Sequence, residues 1–574
     1  MSKKVFNSAQ ITPDEVLAAD STEFSIKLTV GPDYTPEASR IVFDFSSTLG
    51  TSCPTRQVNE ASGYVEVYVD NPDVEYETRS WDLDHKHFVD KDHAASREAM
   101  RMVVLDLSAG LKEGDEIELR WGETLGGFGP GAKVTSVVPR PGYKARVDAR
   151  YFDSQEKGMP DHGRDYIGYK RPEPDGIARM EYKILPREPR RLRLIRKTNE
   201  ALLIPYDVFW NIPEIKESSE LVECDQSAEK NICGAFSYKD KNVSVKSKKI
   251  NMTESPSMDN VYEGMNLYWG DIHSHSAYSI DCAQRSGMDM EPHDLMDFAR
   301  YRSGLDFYAV TDHHIPHREP IRHIGKEKWE KTLADISSHN KDGEFAVFAG
   351  IEFTDTFGDI CIIFKNPPQY DEITKPHFKQ VSDFYKELGK NMMAIPHLHS
   401  TGGEPEGTWR EGIRDIEPVL EVYSDHGSYE REKIVENGRA WCKQFRYDRC
   451  AEYFIKNGYK YGFVCHSDDH KGHVGVNGLT AVFSKELTRE AVFDAYNKRQ
   501  VYGTTNARIK LVFTANGNLM GSIVPFTEKK EFFVDIQGEN DFKKVELFRN
   551  GDFYKRLPLS GDKSIKIEFK ESSG

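Results

Sequence analysis

Three kinds of hydrophobic pattern follow one another along the chain. From about residue 10 to 145 apolar and polar positions alternate, as in Phe24-Ser25-Ile26-Lys27-Leu28-Thr29-Val30 and Glu116-Ile117-Glu118-Leu119-Arg120-Trp121. Alternation puts one set of side chains on each face, which predicts half-buried strands of a sandwich-like module. Short mixed strands continue to about residue 213. Among them the basic run 190–197 keeps an apolar alternation and reads as a strand with a solvated cationic face. Residues 214–260 are rich in Ser, Lys, Glu and Asp and poor in large apolar residues, which predicts a polar linker or surface excursion. Alternation returns from about Thr504. Residues 508–513 and 545–548 run into Asn516-Gly517 and Asn550-Gly551, the dipeptide of tight hairpins, so a small C-terminal β module is expected over 504–574.

Between residues 261 and 503 the pattern differs. The apolar runs are short and continuous, and most end in residues able to bind a metal. Leu267-Tyr268-Trp269-Gly270 leads into Asp271-Ile272-His273-Ser274-His275, and Phe307-Tyr308-Ala309-Val310 into Thr311-Asp312-His313-His314. Residues 345–351 lead into Glu352, and Met392-Met393-Ala394-Ile395-Pro396 into His397-Leu398-His399. Residues 419–423 lead into Ser424-Asp425-His426, and residues 461–465 into His466-Ser467-Asp468-Asp469-His470. A seventh run, 479–483, ends without such a residue. These runs suit strands buried on both faces. Helical patterns separate several of them, one opened by Pro292 with Leu295, Phe298 and Ala299 on a single stripe. Strand and helix in alternation predict parallel strands with right-handed crossovers. If such a sheet closes, all strand ends face one mouth.

Composition supports the emphasis on this segment, which holds fifteen of the nineteen histidines. A net charge of −16 argues against a broad phosphate-binding surface, so no nucleic-acid partner is expected. No apolar run reaches 18 residues, and the start, Met1-Ser2-Lys3-Lys4-Val5-Phe6-Asn7, leads into no apolar signal segment. Eight cysteines at 53, 224, 233, 282, 361, 442, 450 and 465 form no CxxC pair. The expectation is a cytoplasmic protein with reduced thiols, not bound to membranes. Gly127-Phe128-Gly129-Pro130-Gly131-Ala132 fits GxGxxA, but a strand-like run follows it, so it reads as a glycine turn and not as a dinucleotide fingerprint.

Any single histidine here is unremarkable; six strand ends in series point to a divalent metal, since imidazole alternating with carboxylate is a transition-metal ligand set. The motifs also resemble a known family. Gly270-Asp271-Ile272-His273-Ser274-His275 with Ser279-Ile280-Asp281, then Ala309-Val310-Thr311-Asp312-His313, Gly350-Ile351-Glu352, Pro396-His397 and Ser467-Asp468-Asp469-His470 are similar to the successive motifs of the PHP (polymerase and histidinol phosphatase) superfamily. The chain as a whole looks like a long PHP branch with a β-rich N-terminal region.

The resemblance implies an α/β protein with a distorted (β/α)7 barrel over 261–503, flanked by N-terminal β-rich modules over 1–213 and the C-terminal β module. It implies two or three divalent ions (Zn, Mn or Fe). His273, His275, Glu352 and Asp468 would hold the first. Glu352 would bridge to a second with His397, and Asp281, His313 and His470 would hold a third. Where the superfamily carries a further histidine after the glutamate, this chain has Gly358-Asp359-Ile360-Cys361, which leaves Asp359, and behind it Cys361, as replacements. His426 would complete that second site or meet substrate. The function implied is a metal-dependent hydrolase of a phosphomonoester or phosphodiester, using a metal-activated water at a di- or trinuclear centre. His399, His426 and His466 are candidates for the general acid. Arg410 and Lys471 are candidates for binding a small anionic substrate. Two alternatives stand beside this: a hydrolase or lyase acting on a non-phosphorus C–O or C–N bond, and a non-catalytic polymer-binding protein with a degenerate barrel.

Overall fold

The structure is a computed structural model. It describes residues 3–17, 20–35, 38–47, 64–80, 102–122, 131–134, 144–155, 174–185, 191–197, 201–205, 222–224, 231–238, 241–245, 251–279, 282, 288–316, 323–355, 358–375, 377–379, 381–397, 416–431, 450–559 and 561–572. The chain divides into two compact units. One comprises residues 1–188, 208–211 and 280–289; the other comprises 189–207, 212–279 and 290–574.

The first unit contains a four-stranded antiparallel sheet and a six-stranded sheet. Phe24–Val30 and Glu116–Trp121 are neighbouring strands of the smaller sheet. Their apolar positions Phe24, Ile26, Leu28, Ile117, Leu119 and Trp121 are buried, as alternation requires. Trp121 stacks on Phe24 and meets Phe45 and Tyr182 from the larger sheet edge-on, so the inner faces share an aromatic core.

The second unit carries the site. Its main sheet has ten strands: β1 (Asn266–Asp271), β2 (Phe307–Val310), β3 (Ala346–Asp355), β4 (Gly358–Phe364), β5 (Met392–His397), β6 (Val419–Ser424), β7 (Gly427–Ser428), β8 (Gly462–Cys465), β9 (Leu479–Ser484) and β10 (Val501–Thr504). Among the described residues, six α-helices accompany them: α1 (Pro292–Tyr301), α2 (Lys326–His339), α3 (Tyr370–Ile373), α4 (Val381–Leu388), α5 (Ala451–Lys456) and α6 (Arg489–Asn497). The order across the sheet is β7-β6-β5-β4-β3-β2-β1-β9-β10, with β8 also paired to β6.

The expected (β/α)7 barrel is not what the chain forms. Among the described residues strand far outweighs helix, and the sheet is mixed. Only β1–β2, β2–β3, β5–β6 and β6–β8 are parallel; β3–β4, β4–β5, β1–β9, β9–β10 and β6–β7 are antiparallel. No ladder joins β10 or β7 back to the far edge among the described residues. The reason lies in one connection. Only residues 356–357 separate β3 from β4, and a link that short makes a hairpin, whereas a parallel crossover needs a dozen residues or more. The apolar run Ile360–Phe364 is thus a strand in its own right.

The polar stretch 214–260 includes paired strands Val222–Cys224, Asn231–Tyr238 and Lys241–Val245. The C-terminal region forms the two hairpins marked by Asn-Gly. Asn516 and Gly517, and Asn550 and Gly551, all have positive φ, as a two-residue turn with right-handed strand twist demands. No described helix is long and apolar enough to cross a membrane.

Candidate metal centre

Buried carboxylates tie the loops at the strand ends together before any ligand is considered. Asp271 accepts from the backbone N–H groups of His273, Ser467 and Gly475 at 3.3, 3.1 and 3.0 Å. Asp312 accepts from the N–H and hydroxyl of both Ser276 and Ser279, at 2.6–3.1 Å. Asp469 accepts from the N–H groups of Lys471 and His473 at 3.1 and 2.6 Å. Backbone pairing continues past the strands: His275 N–H donates to Asp469 O, Asp468 N–H to His273 O, and Glu352 N–H to Asp312 O. The loops after β1, β2 and β8 and the Glu352 stretch of β3 are therefore one braced surface. Asp468 sits in it at φ 48°, a left-handed conformation that costs a non-glycine residue energy and is found where the surroundings enforce it.

On this surface four of the expected ligands converge. His273 Nε2 lies 3.3 Å from Glu352 Oε1 and 3.2 Å from Asp468 Oδ1. His275 Nε2 lies 3.3 Å from Glu352 Oε2 and 3.1 Å from Asp468 Oδ1. Ligand atoms about 2.0–2.2 Å from a tetrahedral ion are themselves about 3.3 Å apart, so these donors have the spacing of a coordination sphere. His273 Nε2 and Glu352 Oε2 are buried and form no hydrogen bond. A buried acceptor without a donor costs about 1–3 kcal/mol, which a cation between these atoms would offset. The residues fit a divalent metal.

His313 Nδ1 is 2.8 Å from Glu352 Oε2, and His275, His313 and His470 can bring three ring nitrogens within 4.8 Å of one another. The His470 ring stacks on His275 with centroids 4.1 Å apart, and its Nδ1 lies 3.0 Å from Asp468 O, which leaves Nε2 for a ligand. On the other side His397 Nε2 and His426 Nε2 lie 3.2 and 2.9 Å from Asp468 Oδ2. Asp359 is buried and lies opposite His397 in the β4–β5 register. Cys361 lies opposite Glu352 in the β3–β4 register, and its sulfur belongs to a group with His273 and Glu352 spanning at most 4.8 Å. The region where a histidine was expected therefore offers both a carboxylate and a thiol on the same face.

Glu421 carries a role not foreseen. It is fully buried on β6, and it accepts from three imidazoles: His273 Nδ1 at 3.0 Å, His466 Nδ1 at 2.7 Å, and His397 Nδ1. With Nδ1–H given to Glu421, the Nε2 atoms of His273 and His397 are turned toward the cluster as acceptors. The signal was present in the sequence, since an acid inside a run of apolar residues must have a partner. His466 is buried with Nδ1 on Glu421 and Nε2 3.3 Å from Tyr496 Oη, a position that braces the cluster from behind. His426, with 37% of its side chain exposed, is the histidine of the cluster most open to solvent. Lys471 is half-buried beside Asp469. Asp281, His399 and Arg410 lie outside the described residues.

Electrostatics in the ion-free cluster follow from burial and neighbours. Burial pushes Glu352 and Asp468 up, but the adjoining histidines more than reverse it and hold both well below the usual carboxylate range. His275 is lowered to about 3 by burial and by His470 and His313, so it is neutral and ready to ligate at pH 7. His397 is lowered by burial but raised further by Glu421 and Asp468, reaching about 9.

Comparisons with known proteins give no activity. Residues 467–527 match the family described as "Protein of unknown function (DUF3604)", a stretch that opens on the Ser467–His470 loop with its candidate ligands. An uncharacterized protein of Chlamydia pneumoniae is 24% identical over 314 residues, covering 50% of this chain and 48% of the relative. An uncharacterized protein of Chlamydia muridarum is 21% identical over 315 residues, with the same coverage. The chain thus spans about half the length of the curated relatives it matches. A solved structure described as "AvmM Catalyzes Macrocyclization in Alchivemycin A Biosynthesis" covers 31% of this chain and 87% of its own at 12% identity, with a TM-score of 0.14, a likeness too slight to carry an argument.

Proposed function

We propose that this protein is a metal-dependent hydrolase acting on a phosphomonoester or phosphodiester, the activity implied by its resemblance to PHP motifs. The observation that supports it best is the convergence of His273, His275, Glu352 and Asp468, with donor atoms 3.1–3.3 Å apart around two buried atoms that form no hydrogen bond. His273, His275, Glu352 and Asp468 would hold one ion; His313 and His470 would face another; His397 and Asp468, with Asp359 or Cys361 behind them, would face the remaining position. Bound divalent ions supply Lewis acidity and lower the pKa of water. The chain's own residues do the rest. Glu421 fixes the tautomers of His273 and His397. Asp271, Asp312 and Asp469 keep the loops from collapsing when charge changes. His426, the most open histidine of the cluster, with Nε2 2.9 Å from Asp468 Oδ2, serves as the general acid to the leaving-group oxygen. Lys471 meets a substrate anion at the rim. The buried thiols of Cys361 and Cys465, which form no disulfide, support a cytoplasmic location.

The test is turnover of a broad phosphoester panel by protein loaded with Mn²⁺, Zn²⁺ or Fe²⁺, with esters, lactones and amides run in parallel. Hydrolysis of a phosphoester that a chelator abolishes and metal restores is the expected result. Turnover confined to the non-phosphorus substrates would move the activity to C–O or C–N bonds, and no turnover of any substrate by fully loaded protein would refute hydrolysis.

A further inference from the structure

A second group of ligand-type side chains lies between α1 and α2 and shares no residue with the centre above. His293 and Asp297 are four apart on α1, and Asp335 and His339 are four apart on α2, so each pair shares a helix face. One ligand atom from each of His293, Asp297 and His339 lies within 4.8 Å of the others. His339 Nε2 is already 3.3 Å from Asp297 Oδ1, the spacing of two ligands on one tetrahedral ion. The ring is held in that pose. His339 Nδ1 lies 2.8 Å from Asp335 O, and donation to this carbonyl turns Nε2 toward Asp297, where a metal ion would take the place of the proton now shared with that carboxylate. The His293 ring stands 5.9 Å from it, centroid to centroid. Asp335 Oδ2 is buried and forms no hydrogen bond, and Asp335 feels the charge of His293 and His339.

We propose that α1 and α2 bind one divalent transition-metal ion through His293, Asp297 and His339, with Asp335 as a fourth donor. Two imidazoles and two carboxylates are a mixed nitrogen–oxygen set suited to Zn²⁺, Ni²⁺ or Cu²⁺. Half of the His293 and Asp297 side chains is exposed, against 15% for His339, so an ion enters from solvent and meets one preset ligand and two that can adjust. The 4.8 Å limit requires those two to close by about 1.5 Å at most, within the reach of a rotamer change at the surface. The nearby positive charge, Lys331, is taken up in an ion pair with Glu291. Asp294 lies 3.5 Å from His293 and adds negative charge to the rim. Bound metal clamps together the two helices that precede and follow β2 in sequence, and β2 leads to His313.

The test counts zinc. The 574-residue chain is dialysed to equilibrium against zinc chloride, and zinc per chain is measured for wild type, His339→Ala, Asp297→Asn and Glu352→Gln. Asp297 is half-exposed, so its variant tests the site even if His339→Ala proves unstable. The expected result is one zinc fewer in His339→Ala and in Asp297→Asn, and loss of the zinc-induced rise in Tm that these helices contribute. Glu352→Gln should lose zinc from the buried centre while keeping the α1–α2 equivalent, seen as a further loss when Asp297→Asn is added. With Cu²⁺ in place of zinc, electron paramagnetic resonance should show imidazole nitrogen couplings that a His293→Ala, His339→Ala double variant lacks. Zinc counts in Asp297→Asn and His339→Ala equal to wild type would reduce the group to an ordinary Asp297–His339 ion pair and overturn the proposal.

Discussion

Glu421 shows how much one side chain can organise. A carboxylate fully out of water is costly unless charge or donors surround it, and here three imidazoles do so. Glu421→Gln keeps the shape and removes the charge, so His273 and His397 lose the acceptor that fixes their tautomer. Metal affinity, measured by competition with a chromophoric chelator, should fall about 10–100-fold; an unchanged affinity would remove Glu421 from the centre. The residue was legible as an anomaly, an acid in the middle of Val419–Ser424. Its partners were not legible, because His397, His466 and His273 lie 24, 45 and 148 positions away in sequence.

His397 gives a prediction in pH. Its pKa in the ion-free fold is about 9, above the about 6.5 of an unfolded chain. A raised folded value stabilises the protein fully below the unfolded pKa, and that stability is lost as pH rises through the folded one. The metal-free protein should therefore melt at progressively lower temperature from about pH 6.5 to 9 on this account. Metal binding needs the neutral ring, so apparent metal affinity should rise over the same window, with protons released on binding in a calorimeter. Affinity independent of pH across the window would show that His397 is not a ligand.

At the scale of elements, the apolar runs located the strands but not their directions. Phe307–Val310 is a buried strand, and residues 346–353 of the next are buried too, as their composition demands, yet nothing in such a run says which way its neighbour points. Direction came from the length of the links, and the two residues between β3 and β4 were the clue to a hairpin. The same hairpin puts Cys361 beside Glu352, a pairing invisible without the register. The Asn-Gly turns were fully legible because their chemistry is local.

Two glycines separate these cases. Gly517 has a positive φ and open space around it, so Gly517→Ala should cost about 1–2 kcal/mol in chemical denaturation and leave metal binding intact. At Gly478 an added Cβ would lie 2.1 Å from the backbone oxygen of His466. Gly478→Ala must displace the strand end that carries Asp468, so it should lose metal affinity as well as stability. Equal effects of the two substitutions on metal binding would contradict this placement of the ligand loop.

At the scale of the molecule, the described candidate ligands all fall in the second compact unit, which also takes in the C-terminal hairpins. Tyr262 Oη donates to Gly517 O at 2.6 Å, and Arg508 donates to the carbonyls of Ser303 and Gly304, so the C-terminal region is tied to the segments that lead into β1 and β2. No pattern in the sequence announced this, since such contacts are long-range and use backbone carbonyls. Stripping metal should lower the melting transition of the second unit, by about 2.7 kcal/mol for an ion previously held at 100 times its Kd, and leave that of the first unit in place. A calorimetric scan in which both transitions shift together would place ligands in both units.

The most direct test of a buried catalytic metal centre is elemental analysis of the purified chain after loading with Mn²⁺, Zn²⁺ or Fe²⁺ and dialysis, beside Glu352→Gln and Asp468→Asn. The expected result is two or more ions per wild-type chain, with at least one lost in each variant. Fewer than one ion per chain under every loading condition, or counts unchanged by either substitution, would contradict it.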